Sequence, residues 1–73
     1  MHRFLVIIEK GDTGYGAYAP DLPGCVAVGD TREEVEREMC AAIELHLQGV
    51  IEDHESIPSG GSVAEYIEVS LHN

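Results

Sequence analysis

The side chains best able to do chemistry in this chain are two cysteines, four histidines and fourteen carboxylates. The richest local set of possible metal ligands comprises Cys40, Glu44, His46 and His54. Structural zinc sites usually show closely spaced pairs of cysteines or histidines, and this set lacks that spacing. We therefore predict no bound metal and no cofactor.

A cysteine nucleophile is the second chemical possibility. A reactive thiolate needs a neighbouring base and a lowered pKa. Any of the histidines could approach Cys25 or Cys40, but no spacing in the sequence requires it. We predict two reduced cysteines that act as small hydrophobic residues in or beside the core, and no catalytic residue.

The net charge is strongly negative. Four Lys and Arg residues stand against fourteen Asp and Glu residues, which gives −10 at pH 7. Proteins usually bind phosphate backbones with clustered Lys and Arg, so we predict no direct binding of nucleic acid. The charge favours a basic protein partner, although acidity also keeps a small protein soluble without any partner.

The length of 73 residues predicts a single domain, residues 1–73. A chain this short buries only about 60% of the surface that its unfolded form exposes, and we expect a homodimer or homotetramer to add burial. The sequence shows no signal peptide and no apolar run long enough to span a membrane, which predicts a cytoplasmic protein.

Three short strands are predicted in the first part of the chain. Residues 4–8 are consecutive apolar residues, which indicates a strand buried on both faces and central in a sheet. Residues 15–19 follow a glycine-rich turn and form the second strand, and residues 25–28 form the third. Short connections make these strands an antiparallel meander.

A helix and a fourth strand complete the predicted fold. Thr31 and Glu34 have the spacing of a capping box, and an apolar stripe follows, which predicts a helix from Thr31 to about Asp53. Residues 65–72 alternate between apolar and polar types and predict a last strand parallel to the first. The predicted fold is therefore α+β, a four-stranded mixed sheet (β-β-β-α-β, order 3-2-1-4) with one helix on one face.

A rigid corner separates the second and third strands. Pro20 and Pro23 lack a backbone donor and fix φ, and Gly24 follows directly. The order of motifs around this corner is distinctive as a set. Its members are Tyr18, Pro20, Asp21, Leu22, Pro23, Gly24 and Cys25, followed by Gly29, Asp30 and Thr31 at the start of an acidic helix.

This motif order resembles the HicB-like antitoxin family over nearly the whole chain. The resemblance implies a truncated ribonuclease H-like fold and a type II antitoxin that neutralises a small basic HicA-like toxin, which degrades messenger RNA. Fuller members carry a DNA-binding module after this domain. Because the sequence ends at Asn73, directly after the last predicted strand, we expect no DNA-binding domain and do not carry operator binding over.

The resemblance also suggests where a toxin would bind. Asp21, Leu22, Pro23 and Gly24 match the family's motif, but they can equally be a rigid strand connection. The acidic side of the helix is our electrostatic prediction for the docking surface of a basic partner, with a solvated surface as the competing interpretation. Its carboxylates are Glu33, Glu34, Glu38 and Glu44.

The alternative function is a stand-alone metal-dependent hydrolase or small-ligand-binding domain. Ribonuclease H-like enzymes hold metal ions with several carboxylates, some of them on the first strand. Residues 4–8 contain no carboxylate, and Glu9 lies at the exit of that strand. Glu38, Glu44 and Glu68 remain as candidates, and helical carboxylates usually face solvent.

Overall fold

The computed structural model describes residues 2–72. Within this range the chain forms β1 (Ile7–Lys10), β2 (Tyr15–Tyr18), β3 (Val26–Gly29) and α1 (Arg32–Glu52). The strands form one antiparallel sheet of order β1-β2-β3, and α1 packs on one face, mainly over β2 and β3. The α+β class and the meander are as predicted, but β1 begins three residues later than the strand predicted over residues 4–8.

One tight turn and one close backbone contact fix the register of the sheet. Ile7 lies opposite Tyr18 and Lys10 opposite Tyr15, and the N–H of Gly11 donates to the carbonyl oxygen of Gly14 at 2.7 Å. Gly14 also lies against β3. A Cβ atom at this position would lie 2.6 Å from the carbonyl oxygen of Gly29, so this close approach requires glycine.

The start of α1 confirms the predicted cap. Thr31 Oγ1 accepts a hydrogen bond from the N–H of Glu34 at 3.1 Å. Glu34 Oε2 in turn accepts from the N–H of Asp30 at 3.0 Å, one residue earlier than in the usual capping box. The helix ends at Glu52 with Asp53 as C-cap, which agrees with the predicted end.

The apolar stripe of α1 forms one half of the core, as predicted. Val35 and Met39 are buried, and Ile43 and Leu47 pack partly buried against the same cluster. The other half comes from β2 and the corner that follows it. Its members have mostly small side chains, which lets α1 lie close to the sheet: Ala17, Ala19, Leu22 and Cys25.

The predicted four-stranded sheet is wrong. Residues 63–72 belong to no strand and are exposed, so β1 is an edge strand of a three-stranded sheet and not the central strand. The ribonuclease H-like order 3-2-1-4 needed the last segment beside β1, and the chain does not place it there. Strand parity and composition predicted the pairing, but neither determines where the preceding loop leads the chain.

The molecule is elongated for this reason. Its extents are 56 × 28 × 19 Å and its radius of gyration is 15.2 Å. A compact chain of this length would have a radius of gyration of about 11 Å. The C-terminal segment therefore extends away from the domain formed by the sheet and the helix.

Candidate functional site

The corner between β2 and β3 consists of two successive turns. The N–H of Leu22 donates to the carbonyl oxygen of Ala19 at 3.0 Å, and the N–H of Cys25 donates to that of Leu22 at 3.1 Å. In the second turn Pro23 and Gly24 occupy the central positions, and Gly24 has φ of +88°. Proline followed by a positive-φ glycine is the requirement of a type II turn, which explains these two residues.

The corner places Leu22 in the core. Only 1% of this residue is exposed, and it packs in the same cluster as Val35 and Met39. Pro20, Pro23 and Gly24 remain on the surface. Of the four motif residues predicted for toxin contact, Leu22 therefore has a structural role in the folded domain, while the surface position of Pro23 leaves it accessible.

Asp21 holds a distant part of the chain. Its Oδ2 atom accepts from the N–H groups of Gly61 and Ser62 at 3.1 and 3.0 Å, and its Oδ1 atom accepts from the Ser62 hydroxyl at 2.8 Å. We call this set of hydrogen bonds the Asp21 clasp. Sequence reasoning missed it, because no local pattern links Asp21 to a serine about forty residues further along the chain.

The clasp makes the placement of the loop depend on pH. The Ser62 amide, followed by the Ser62 hydroxyl, lowers the pKa of Asp21 below its ordinary value of 3.8. A lowered folded-state pKa means that the clasp contributes fully above the ordinary pKa and is lost as pH falls through the lowered value. We expect the amide NMR signals of Gly61 and Ser62 to titrate together in this acidic range.

A pair of serine variants tests the cause of this titration. Ser62→Ala removes one of the three hydrogen bonds, so the pKa of Asp21 should rise toward its ordinary value, whereas Ser59→Ala should leave it unchanged. An Asp21 carboxyl signal that titrates identically in both variants and the parent would contradict the clasp.

The acidic residues of α1 divide into engaged and exposed side chains. Glu34 serves the helix cap, and Glu44 Oε1 accepts from the Cys40 thiol at 3.3 Å. Glu33 and Glu38 are exposed and make no hydrogen bond or ion pair to another described side chain. Among the predicted docking carboxylates, these two present their charge most freely.

The two cysteines have different surroundings. Cys25 is buried, as predicted, and burial raises the pKa of its thiol. Cys40 is exposed, so its predicted place in or beside the core is wrong, because it lies just outside the apolar stripe. The Glu44 carboxylate raises the pKa of Cys40 by hydrogen bonding and by its charge. Both raised pKa values lower the fraction of thiolate, the nucleophilic form, at neutral pH.

The candidate metal ligands do not converge. Among residues 2–72, no group of three or more His, Cys, Asp or Glu side chains is placed to hold a metal ion. Glu38 and Glu44 lie on α1, while Glu68 lies in the exposed C-terminal segment. The described part of the chain thus offers no carboxylate cluster that favours the alternative hydrolase.

An apolar groove lies along the edge of the domain, and sequence reasoning missed it. Because α1 packs mainly over β2 and β3, a space of about 570 Å³ remains between α1 and the first residues of the chain. We call it the edge groove. Its floor and walls are Phe4, Val6, Ile8, Met39, Ile43 and Leu47, and its rim carries His2, Glu36, Cys40 and Glu44.

The sheet face opposite α1 is also uncovered within the described chain. Tyr18, Val26 and Val28 are exposed there, next to a shallow depression of about 850 Å³. Separately, α1 carries too many charged residues to cross a membrane, and no other helix is present in residues 2–72.

Comparison with known protein families gives a match over almost the whole chain. The model described as "HicB_like antitoxin of bacterial toxin-antitoxin system" matches residues 4–71. The match includes the corner, α1 and the exposed C-terminal segment.

Several curated proteins are similar to this chain. An uncharacterized 14.9 kDa protein of Haemophilus phage HP1 is 39% identical over 85% of this chain and 47% of its own length. A UPF0150 protein of Synechocystis is 33% identical over 94% of this chain and 89% of its own length. Antitoxin HicB 1 of Photorhabdus laumondii is 37% identical over 96% of this chain and 51% of its own length. The chain thus spans about half of the phage protein and of Antitoxin HicB 1, and most of the Synechocystis protein.

Proposed function

Because this chain belongs to the HicB-like antitoxin family of bacterial toxin–antitoxin systems, we propose that it binds and neutralises a small basic toxin that degrades messenger RNA. The family match over residues 4–71 is the observation that carries this proposal. The similarity to Antitoxin HicB 1 over 96% of the chain supports it. The proposed toxin is HicA-like, and we place its encounter with this chain in the cytoplasm.

The charge of the chain supports a basic partner. The net charge is −10, and exposed carboxylates lie along α1. Such a surface speeds the association of a positively charged protein and repels nucleic acid. In this proposal the chain itself does not bind RNA or DNA. It acts by covering the toxin.

We place the docking surface on the exposed first two turns of α1, which carry Glu33 and Glu38. Glu44 lies on the same helix beside Cys40, and Glu34 holds the helix start in place. Asp21 and Pro23 form a second candidate contact at the corner, where Leu22 anchors the turn in the core. The role of these residues in toxin binding is a proposal that rests on charge, exposure and the family motif.

The mode of action we propose is stoichiometric, without catalysis, metal or cofactor. The raised pKa values of Cys25 and Cys40 argue against a cysteine nucleophile. Carboxylates that could bind a metal are spread over α1 and the C-terminal segment. Inhibition should therefore saturate at a fixed ratio of the two proteins and should not require divalent ions.

Affinity purification of the tagged protein from its own cells tests the proposal. A small, strongly basic protein should co-elute near stoichiometry, and mass spectrometry would identify it. Cells expressing the same tag on an unrelated acidic domain provide the control for non-specific charge attraction. Recovery of the chain with only further copies of itself, across growth conditions, would contradict the proposed partner.

A further inference from the structure

The C-terminal segment combines a strand-like pattern with full exposure. Ile67, Val69 and Leu71 are 77%, 77% and 85% exposed, and they fall on one face of an extended chain because alternate residues point the same way. The opposite face carries Tyr66, Glu68, Ser70 and His72. We call residues 63–71 the exchange segment. An unpaired segment with this pattern exposes both hydrophobic side chains and backbone hydrogen-bonding groups.

The same chain contains a surface that complements this segment. Ile8 pairs with the buried Ala17, so Ile8 shares the sheet face on which α1 lies, and Phe4 and Val6 follow by alternation. These side chains form the β1 side of the edge groove. Among the described strands β1 pairs only with β2, so its outer edge is open to a further strand.

The Asp21 clasp determines where the exchange segment leaves its own domain. Gly61 and Ser62 are held at the corner, and Gly60 passes so close to Arg3 that a Cβ atom there would lie 2.5 Å from the Arg3 carbonyl oxygen. The segment therefore begins beside the residues that precede β1. From there it extends outward and leaves the edge groove of its own copy empty.

We infer that two copies of this chain exchange these segments, each binding its residues 63–71 along the β1 edge of the other. Ile67, Val69 and Leu71 would enter the partner copy's edge groove, and the exchanged backbone would satisfy the open edge of β1. Each copy carries one segment and one groove, so a two-fold arrangement closes with both occupied. Within one copy the sheet remains three-stranded, and the additional pairing is between copies.

The apolar lining of the edge groove favours an apolar segment of a second copy over a basic partner as its occupant. The contact surfaces are apolar, while each copy carries a net charge of −10. Salt screens the repulsion between two such copies, so the exchange dimer should become more stable as ionic strength rises. Binding of a basic toxin should weaken under the same change, which separates the two interactions experimentally.

Matched lysine variants on the two faces of the segment test this inference. Val69→Lys would bury a charge in the groove and should raise the dimer dissociation constant about a hundredfold, measured by analytical ultracentrifugation at two salt concentrations. Ser70 is the next residue and lies on the opposite face of the segment. Ser70→Lys should therefore change the dimer dissociation constant by no more than about threefold. Both residues are exposed in the single copy, so neither change should affect its folding, which circular dichroism checks.

A cross-link between two kinds of chain shows whether the contact is between copies. One chain keeps Cys40 at the rim of the groove, and the other carries Ile67→Cys with Cys40→Ser. A short bis-maleimide should join them, and the Ser70→Cys counterpart should react much less. Three results would overturn the inference. The chain could be monomeric at all concentrations, the dimer could be insensitive to Val69→Lys, or the dimer could form without the Cys40 cross-link. A cross-link that forms only within single chains carrying both cysteines would also overturn it.

Discussion

The double variant Glu33→Lys/Glu38→Lys is expected to bind the toxin about ten to a hundred times more weakly than the parent chain, mainly through slower association. Both carboxylates are exposed on α1, and Glu33 lies in its first turn. A negative surface attracts a basic protein before contact, and two reversed charges remove this attraction and add repulsion. Stopped-flow binding with the toxin recovered by co-purification measures the association rate directly.

The salt dependence of this effect is part of the prediction. Charges separated by more than about 8 Å are largely screened at physiological ionic strength. The difference between the parent and the variant should therefore shrink as salt is added. A difference that stays constant up to high salt would show that Glu33 and Glu38 act through close contacts and not through long-range attraction.

The control variant Glu52→Lys/Glu55→Lys changes the net charge by the same amount near the other end of α1. It should weaken binding much less if the docking surface lies near Glu33 and Glu38. Equal loss in both double variants would mean that only net charge matters, and the proposed surface would be wrong. Lysine in the first turn also costs about 0.3–1 kcal/mol of interaction with the helix dipole, so thermal unfolding of both variants must be compared.

Leu22→Ala is expected to lower the free energy of unfolding by about 2–5 kcal/mol. Leu22 is 1% exposed, and it closes the core between the corner and α1. Folded domains are stable by only about 5–15 kcal/mol in total, and a domain of this length lies at the low end. The variant should therefore be partly unfolded at moderate temperature.

Leu45→Ala provides the matched control, because Leu45 is 72% exposed on α1. Its free energy of unfolding should change by no more than about 0.5 kcal/mol. Urea unfolding at one fixed protein concentration measures both variants, since self-association would make the midpoint depend on concentration. A loss below about 1 kcal/mol for Leu22→Ala would show that the corner is not part of the core.

The elements that depend on neighbouring residues could be predicted from the sequence. Thr31 and Glu34 are three positions apart, and this spacing alone determines the helix cap. Pro23 and Gly24 likewise specify their turn through fixed and positive φ values. The stripe that contains Val35 and Met39 also follows from the helical period. Local chemistry explains each of these successes.

The position of the last segment could not be predicted in this way. Alternation at Ile67, Val69 and Leu71 indicates a strand but does not say which sheet edge receives it. Three hydrogen bonds to Asp21 and the close approach of Gly60 to Arg3 set the direction of the chain, and these contacts join residues distant in sequence. The edge groove was missed for the same reason, because it exists only where β1 is left unpaired.

The residue types of the candidate site can be recognised in the sequence, but their burial cannot. The corner motif and the acidic helix are recognisable from residue types and spacing alone. Burial and hydrogen bonding then separate Leu22 and Glu34, which support the fold, from exposed residues such as Pro23, Glu33 and Glu38. Residue type alone cannot make this distinction. Toxin contact by the exposed set remains a proposal.

Titration of a ribonuclease assay tests the central claim most directly. The purified basic partner, shown to cleave messenger RNA alone, is mixed with increasing amounts of this chain. We predict that cleavage falls linearly and stops near a fixed stoichiometric ratio, and that Glu33→Lys/Glu38→Lys requires more protein for the same inhibition. Full ribonuclease activity in the presence of excess folded parent chain would contradict the account.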